Sequence, residues 1–275
     1  MTAQREKAER FLALHRGDIL VLPNAWDAAS ARVFELAGAR AIATTSAGVA
    51  AALGRPDGER VRRDDMLDAL RRIVAAVDVP VSADIEAGYG TSVAEVCATV
   101  AGVIDAGAVG VNLEDEVRDA AELVERIGAV RELARAKGVP LFVNARTDVW
   151  LRRGGDPRAH LDDGITRLRA YAAAGADGVF APGLADPDTI ARVAAAVDRP
   201  LNILAGPGVP PARELARLGV ARVTVGSGAM RATLGLVRRI AEELLGDGTY
   251  RLLADAPSHA EVNAMFTRAA RTDAT

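Results

Sequence analysis

Short runs of apolar and β-branched residues alternate with longer amphipathic segments along the whole chain of 275 residues. Runs such as DILVLPNA, VPVSADIE and VPLFVNAR are typical of buried strands, whereas DDMLDALRRIVAAV and AAELVERIGAVRELARAK have the period of amphipathic helices. Several helical segments end in small residues with a glycine just before the next apolar run, as in ELAGAR and AAAGADG, which is the expected helix C-cap. The pattern predicts a strand followed by a helix, repeated along the chain.

Eight such runs, with no change of composition between them, indicate an α/β fold in which residues 1–275 form one (β/α)8 (TIM) barrel. A doubly wound sheet is the competing architecture, and it is disfavoured because no dinucleotide-binding fingerprint follows the first strand. A charged amphipathic helix is predicted before the barrel and ends at Gly17. Residues 240–275 are predicted to form a C-terminal helical extension, with Ser258 and Glu261 at the spacing of a capping box.

Composition excludes several classes of function. The formal net charge of −3 gives no support for binding to nucleic acid or to a membrane surface. No apolar stretch approaches the ~20 residues that a membrane-spanning helix needs, and the N-terminus has no signal-peptide core. Cys97 is the only cysteine, so neither a disulfide framework nor a cysteine-based zinc site is expected. We therefore expect a cytoplasmic protein.

Three acidic residues stand at the ends of predicted strands, where burial is expected. Asp84 and Glu86 follow the apolar start of VPVSADIEAGYG, and Glu114 ends the run GVNLE. Side chains two apart on a strand share a face, and the C-terminal ends of barrel strands form the active-site rim. Clustered, desolvated carboxylates repel one another, and a hard divalent cation relieves that repulsion. The sequence therefore predicts a metal site at this rim.

Lysine and histidine chemistry is disfavoured by where those residues fall. The two lysines, Lys7 and Lys137, lie in the N-terminal helix and at a helix end on the other rim. Schiff-base and pyridoxal phosphate chemistry are therefore not expected. The three histidines lie in helices or connections, and each is predicted to be a surface or interface residue: His15, His160 and His259.

Arg146 ends the fifth predicted strand, in VNAR. Its planar guanidinium suits a carboxylate, so it is predicted to clamp the substrate or to neutralise the acidic cluster, and the two roles are compatible. Asp115 is out of phase with Glu114 on the strand, and a structural salt bridge is its predicted role.

The chain resembles the isocitrate lyase/phosphoenolpyruvate mutase superfamily in segments that follow one another at barrel spacing: PNAWDAASARVFELAG, TTSAGVAAALGRPDGE, SADIEAGYG, GVNLEDE, VNARTD, LNILAGPG and RVTVGS. The resemblance implies a modified (β/α)8 barrel that assembles as a homotetramer, a dimer of dimers in which the last barrel helix is swapped between paired subunits. It also implies a Mg²⁺ (or Mn²⁺) cofactor that binds a small 2-oxo acid or its enolate.

The resemblance also implies roles for individual residues. Asp84 would coordinate the metal directly. Glu86, Glu114 and the loop residue Asp57 would act through water or by contacting the metal's ligands instead of the metal. Tyr89 is the predicted proton donor, with simple packing as the alternative, and it joins Arg146 and Glu114 in the predicted catalytic set. The predicted substrate-binding residues are Trp26, Ser46, Ala47, Gly48, Arg146 and Asn202.

One departure from the family pattern bears on the reaction. Family members that cleave isocitrate or methylisocitrate carry a Lys-Lys/Arg-Cys-Gly-His loop after strand four, whereas this chain has EDEVRDAAELVERIG there, with no Cys, Lys or His. The Asn-containing loop of the phosphonate mutases is missing as well. The predicted function is a Mg²⁺-dependent lyase or decarboxylase that cleaves a C–C bond of a small 2-oxo or 2-hydroxy di- or tricarboxylate through an enolate.

Three alternatives stay open. A phosphonopyruvate-type enzyme would cleave a P–C bond at the same site. The segments AGPG and GSG near the last two strands are compatible with a phosphate site of a sugar-phosphate or flavin enzyme, although that reading leaves the acids unexplained. A non-catalytic, metal-binding family member is the third alternative.

Overall fold

A ring of parallel strands forms the centre of the molecule in a computed structural model that describes residues 2–267. The strands are β1 (Leu20–Leu22), β2 (Asn24–Ala25), β3 (Ile42–Thr44), β4 (Val81–Asp84), β5 (Gly110–Glu114), β6 (Phe142–Arg146), β7 (Gly178–Phe180), β8 (Leu201–Leu204) and β9 (Arg222–Thr224). They pair in the order β1-β9-β8-β7-β6-β5-β4-β3-β2. The predicted α/β barrel is confirmed.

Pro23 divides the first stave of the barrel into β1 and β2, because proline has no amide hydrogen for the strand ladder. Its carbonyl still accepts a hydrogen bond from the amide of Ala43 at 2.9 Å. β1 pairs with β9, and β2 pairs with β3. The two short strands together occupy the position of one barrel strand and join the two ends of the sheet.

Helices cover the outside of the ring, and they alternate with the strands as predicted. They are α1 (Ala3–Leu14), α2 (Ala28–Leu36), α3 (Ser46–Ala52), α4 (Arg63–Ala76), α5 (Val93–Asp105), α6 (Ala120–Ala136), α7 (Val149–Arg152), α8 (Leu161–Ala173), α9 (Pro187–Ala196), α10 (Ala212–Arg217), α11 (Gly228–Leu245) and α12 (His259–Phe266). The buried side chains of α4 show the rule, because Met66, Leu70 and Ile73 recur at helical spacing and face the strands. Within residues 2–267, no helix combines the length and the apolar composition that crossing a bilayer requires.

Helix α1 closes the N-terminal end of the barrel, opposite the predicted active-site rim. Phe11 packs edge-on against Phe142, the first residue of β6, with ring centroids 5.4 Å apart. A Cβ atom on Gly110, the first residue of β5, would lie 2.9 Å from the Phe11 ring, so only glycine permits this approach. The predicted N-terminal helix is confirmed, and it packs against the N-terminal ends of β5 and β6.

His15 is buried, and the prediction that it lies at the surface or at an interface was wrong. Its ring stacks on Phe142 at 4.0 Å, and Nδ1 lies 2.8 Å from the carbonyl oxygen of Phe11. Burial and, to a smaller extent, the charge of Arg222 lower the pKa of His15 from 6.5 to about 3, against the Phe11 hydrogen bond. The histidine is therefore a neutral packing residue at neutral pH.

Stability is expected to fall at mildly acidic pH because of His15. The unfolded chain takes up a proton as the pH falls below 6.5, whereas the folded protein does so only near pH 3. This contribution is therefore fully present above pH 6.5 and is lost as the pH falls. It amounts to about 2 kcal/mol between pH 7 and pH 5. Urea unfolding of the wild type and His15→Phe at both pH values measures it, and the variant should lose less stability than the wild type.

The matched control for that measurement is His259→Phe, which removes an exposed histidine from the start of α12. This control should retain the wild-type loss of stability on acidification. If His15→Phe shows the same pH dependence as the wild type, the buried imidazole does not contribute to it.

The C-terminal part of the chain differs in detail from the predicted boundary. α11 runs to Leu245, so the predicted start of the extension at residue 240 falls inside a helix. The predicted capping box is confirmed, because Ser258 and Glu261 bond each other's backbone amides at the start of α12. The last part of the predicted extension, residues 268–275, lies outside the described residues.

Candidate active site

Three predicted acids meet at the C-terminal ends of two neighbouring strands. Asp84 is the last residue of β4, Glu114 is the last residue of β5, and Glu86 lies two residues beyond β4. Their exposed fractions are 9%, 5% and 8%, respectively. The parallel register explains the clustering, because it pairs Asp84 with Asn112 and thereby brings Glu114 level with Glu86, whose carbonyl accepts the Glu114 amide at 3.0 Å. The predicted gathering of acids at this rim is therefore observed.

Asp84 has one satisfied and one unsatisfied carboxylate oxygen. Oδ2 accepts a hydrogen bond from the Ser46 amide at 3.1 Å, and the Asp84 amide donates to Thr44 Oγ1 at 2.8 Å. Oδ1 is buried and has no hydrogen-bond partner in the described part of the chain. A buried polar atom without a partner is costly and calls for an explanation. A cation ligand at this position would provide one.

Glu86 is held by two neighbours that also hold each other. Its Oε1 accepts from the Tyr89 hydroxyl at 3.0 Å, and its Oε2 accepts from the Glu59 amide at 2.9 Å. The Tyr89 amide in turn donates to Glu59 Oε1 at 2.9 Å. All three residues have left-handed backbones, with φ between 51° and 55°, a conformation that is unfavourable for non-glycine residues. The hydrogen bonds among Glu59, Glu86 and Tyr89 hold the three backbones in this unfavourable conformation.

Glu59 is a member of this network that the sequence did not reveal, because nothing in GRPDGER distinguishes it from the other charged residues of that loop. The predicted residue of the same loop, Asp57, is exposed. The charge of Asp57 still reaches the site, since it helps to raise the pKa of Glu86. Asp57 is therefore near the acids, whereas Glu59 makes the direct contacts.

The acids carry more negative charge than this environment readily holds. Burial, followed by the charges of Asp84 and Asp57, raises the pKa of Glu86 from 4.5 to about 7, against the hydrogen bonds from Tyr89 and Glu59. Burial also raises the pKa of Glu114, with Arg146 opposing the shift and the neighbouring acids adding to it. Burial and the adjacent Glu86 raise the pKa of the Tyr89 hydroxyl, so the phenol stays protonated.

Arg146 pairs with two buried carboxylates at the end of β6. Nη1 lies 2.8 Å from Glu114 Oε2, and Nε lies 2.6 Å from Asp148 Oδ1. The guanidinium also lies over the Phe180 ring, 5.7 Å from its centroid. Arg146 therefore neutralises part of the acidic cluster, which is one of its two predicted roles. Its second predicted role, as a substrate clamp, stays a prediction.

Asp115 makes the structural ion pair that the strand phase predicted. Its Oδ2 accepts from Arg167 at 3.1 Å and from the Tyr171 hydroxyl at 2.7 Å, and its Oδ1 accepts from two backbone amides. Only residues 115–119 separate β5 from α6. The connection is short, and Asp115 anchors it.

The segment TTSAG runs from the end of β3 into the first turn of α3. Thr45 is the N-cap, and its hydroxyl accepts the Gly48 amide at 3.4 Å, while the Ser46 amide donates to Asp84. A Cβ atom on Gly48 would lie 2.8 Å from Trp26 Cβ, which explains the glycine. Two of the amides in this turn are thus already bonded, and the predicted contacts of Ser46, Ala47 and Gly48 with substrate stay predictions.

Two predicted substrate-binding residues, Trp26 and Asn202, remain to be placed. Trp26 lines a groove between α2, α3 and α4 together with Val49, Leu53 and Arg72. Asn202 has no exposed surface, and its side chain bonds to Thr224 on the adjacent strand at 3.3 Å. This placement gives no support to a contact between Asn202 and a substrate.

Arg222 is a buried cation in the barrel interior that the sequence analysis missed. It is 1% exposed, donates to Asn112 Oδ1 at 3.3 Å, and leaves Nε and Nη1 without partners among residues 2–267. Burial lowers the pKa of Arg222 to about 9, and the charge of Asp84 opposes the shift. Its position at the start of β9 gave no signal in the sequence, because only barrel closure brings β9 opposite β5.

The residues present fit a hard divalent cation bound with few protein ligands. The donors are carboxylate oxygens, which Mg²⁺ prefers, and Asp84 Oδ1 has no other partner in the described chain. Within residues 2–267, no three acidic, histidine or cysteine side chains stand close enough together to form a complete ligand set. A cation here would therefore keep much of its water shell, as Mg²⁺ usually does.

Comparison with known proteins agrees with the barrel fold and identifies the family to which the chain is similar. A family model described as phosphoenolpyruvate phosphomutase matches residues 11–245. An oxaloacetate decarboxylase of Bradyrhizobium sp. (strain BTAi1) is 31% identical over 280 residues, which cover 97% of this chain and 94% of the relative. The 2-methylisocitrate lyase of Escherichia coli K12 is 31% identical over 259 residues, covering 88% of this chain and 86% of the relative.

A crystal structure from Burkholderia cenocepacia J2315 superimposes with a TM-score of 0.89 and 42% identity, covering 97% of both chains. The family match spans most of the barrel, from α1 to the end of α11. The chain therefore belongs to the isocitrate lyase/phosphoenolpyruvate mutase superfamily of lyases and mutases.

Proposed function

We propose that this protein is a Mg²⁺-dependent lyase or decarboxylase that cleaves a C–C bond of a small 2-oxo or 2-hydroxy diacid. The observation that carries the proposal is the buried Oδ1 of Asp84, which has no partner among residues 2–267 and lies within a cluster of acids beside Arg146. The resemblance to an oxaloacetate decarboxylase along nearly the full chain supports the same reaction class.

Asp84 would hold the cation directly. Glu86, Glu114 and Asp57 would act through bound water or through the attraction of their negative charge for the cation. Glu86 and Glu114 already have protein partners for both carboxylate oxygens. Among the three acids, Asp84 is thus the one whose carboxylate has an oxygen without a partner in the part of the chain that the structure describes. When bound, Mg²⁺ would act as a Lewis acid toward the negative charge that develops on the keto oxygen of the substrate.

The other residues would bind and orient the substrate and hold a proton. The guanidinium of Arg146 would fix a substrate carboxylate, since a planar fork matches that group. Loss of carbon dioxide from a 2-oxo diacid leaves the bonding electron pair in an enolate, and a proton must return to the carbon beside the keto group. Tyr89 Oη, which holds its proton against Glu86, or a water is the proposed donor.

The test is a panel of 2-oxo and 2-hydroxy diacids, assayed for release of carbon dioxide or pyruvate with Mg²⁺ and with a chelator. Turnover that requires Mg²⁺ and is confined to the diacids is the expected result. Turnover of phosphonopyruvate with inert diacids would instead support the P–C alternative, with which the family model description is also compatible. Tight oxalate binding without any turnover would support a non-catalytic protein.

We expect the protein to assemble through α11. Met230 is the one buried residue of this 18-residue helix, whereas the other barrel helices bury an apolar face. Leu234, Val237, Leu244 and Leu245 are 40–89% exposed and form one stripe. A second copy of the same helix arrangement would cover that stripe and provide the proposed swapped dimer and tetramer.

The double variant Leu234→Glu/Val237→Glu tests this assembly by light scattering after gel filtration. It should be monomeric where the wild type is a dimer or tetramer, because charges would replace apolar contacts in the interface core. Arg239→Glu, on the opposite face of α11, is the control and should retain the wild-type mass. A monomeric wild type would contradict the expectation.

A further inference from the structure

A second arginine stands at the mouth of the site, outside the residues that the sequence singled out. Arg152 ends α7, and its side chain is 47% exposed, against 16% for Arg146. It is joined to Arg146 by two shared carboxylates. We call Arg146, Asp148, Arg152 and Glu114 the arginine–carboxylate ring.

Each carboxylate of the ring bridges both arginines. Asp148 accepts Nε of Arg146 on Oδ1 at 2.6 Å and Nε of Arg152 on Oδ2 at 2.8 Å. Glu114 accepts Nη1 of Arg146 on Oε2 at 2.8 Å and faces Nη2 of Arg152 with Oε1 at 3.5 Å. The two guanidiniums are thereby tied to each other through the same two buried carboxylates.

The ring leaves donor capacity on Arg152. Its Nη2 contacts, to Glu114 at 3.5 Å and Glu116 at 3.4 Å, are long, and its Nη1 has no acceptor within residues 2–267. An exposed arginine in a surface ion pair is ordinarily of little consequence. Here, however, the main partner of Arg152 is Asp148, whose side chain has no exposed surface. This buried carboxylate fixes the orientation of the Arg152 guanidinium.

Helix α7 gives Arg152 a rigid support. Trp150 is 6% exposed, donates from Nε1 to the Pro157 carbonyl at 3.0 Å, and packs so tightly on α8 that a Cβ atom on Gly164 would lie 2.2 Å from its ring. A guanidinium held in this way loses little conformational freedom when an anion binds, and such preorganisation favours affinity.

We infer that Arg152 binds the second carboxylate of the diacid substrate, with Asp148 as its positioning residue. The inference rests on the proposed function, because it assumes that the first carboxylate lies at the acid cluster beside Arg146. Arg152 would thus decide whether the site distinguishes a diacid from the corresponding monoacid.

The test compares malate with lactate, which share a 2-hydroxy acid group and differ by one carboxylate. Dissociation constants with Mg²⁺ are measured by calorimetry for the wild type, Arg152→Leu and Arg152→Lys. The wild type should prefer malate, and Arg152→Leu should reduce that preference by about 10- to 100-fold, because charge-assisted hydrogen bonds are lost. Lactate affinity should not change, and Arg152→Lys should lie in between.

Arg153→Leu is the matched control, because Arg153 is the next residue, has 36% exposure and pairs with Asp163 instead of the ring. It should keep the wild-type preference. An unchanged preference in Arg152→Leu, or an equal loss of both ligands, would overturn the inference while leaving the proposed function standing. Absence of Mg²⁺-dependent binding of either ligand to the wild type would overturn both.

Discussion

Asp84→Asn is expected to abolish Mg²⁺-dependent turnover, with a loss of about 10³-fold, since Lewis-acid stabilisation contributes several kcal/mol. Asparagine is nearly isosteric with aspartate, and its amide oxygen can still accept the Ser46 amide that Oδ2 now binds. The substitution therefore removes charge from the acid cluster while it preserves the local hydrogen bond. Activity is measured with the best diacid of the panel, over a range of Mg²⁺ concentrations.

Thermal unfolding gives a readout of the same variant that does not depend on turnover. Mg²⁺ at about 100 times its dissociation constant should stabilise the wild type by about 2.7 kcal/mol, and Asp84→Asn should lose this effect. Without Mg²⁺ the variant should be as stable as the wild type or more so, because fewer buried acids repel one another.

Asp105→Asn is the control, because Asp105 is an exposed partner of Lys137 at the end of α5. It should respond to Mg²⁺ as the wild type does. If Asp84→Asn keeps both the turnover and the Mg²⁺-dependent stabilisation, Asp84 does not hold the cation.

Arg146→Lys is expected to raise KM by about 10- to 100-fold with a smaller effect on kcat, because lysine cannot present the planar fork that binds a carboxylate. The same change removes the simultaneous contacts with Glu114 and Asp148. The free energy of unfolding should therefore fall by about 1–3 kcal/mol. Steady-state kinetics and urea unfolding measure the two effects on one preparation.

Arg131→Lys separates the loss of binding from the loss of stability. Arg131 makes two hydrogen bonds to Asp177, at 2.8 and 2.9 Å, and a third to the Leu141 carbonyl, away from the acids. This control should lose comparable stability and keep the wild-type KM. If Arg146→Lys also keeps it, Arg146 only neutralises Glu114 and Asp148.

Local sequence patterns were sufficient to predict the barrel and to place the acids at the C-terminal ends of its strands. Strand ends and helix caps depend on residues close together in the chain, which is why Asp84, Glu114 and the Ser258 capping box were found in the expected places. The strand phase also separated Glu114, which faces the site, from Asp115, which pairs with Arg167. Side-chain alternation along a strand does not depend on the rest of the fold.

Contacts between distant segments were beyond the reach of those patterns. His15 reads as a residue at the end of a charged helix, yet the closure of the barrel by α1 buries it against Phe142. Glu59 and Arg152 look like ordinary charged residues of a loop and a short helix, and only the folded chain brings them to Glu86 and Glu114.

The sequence by itself determined the order of strands and helices and the rim on which the carboxylates stand. The tertiary structure decided how those charges are balanced. Asp148 joins two arginines, Arg222 enters the barrel from β9, and Asp84 Oδ1 is left without a partner in the described chain. The physical reason is that periodicity records which face of an element is buried, whereas charge balance depends on distances across the closed ring.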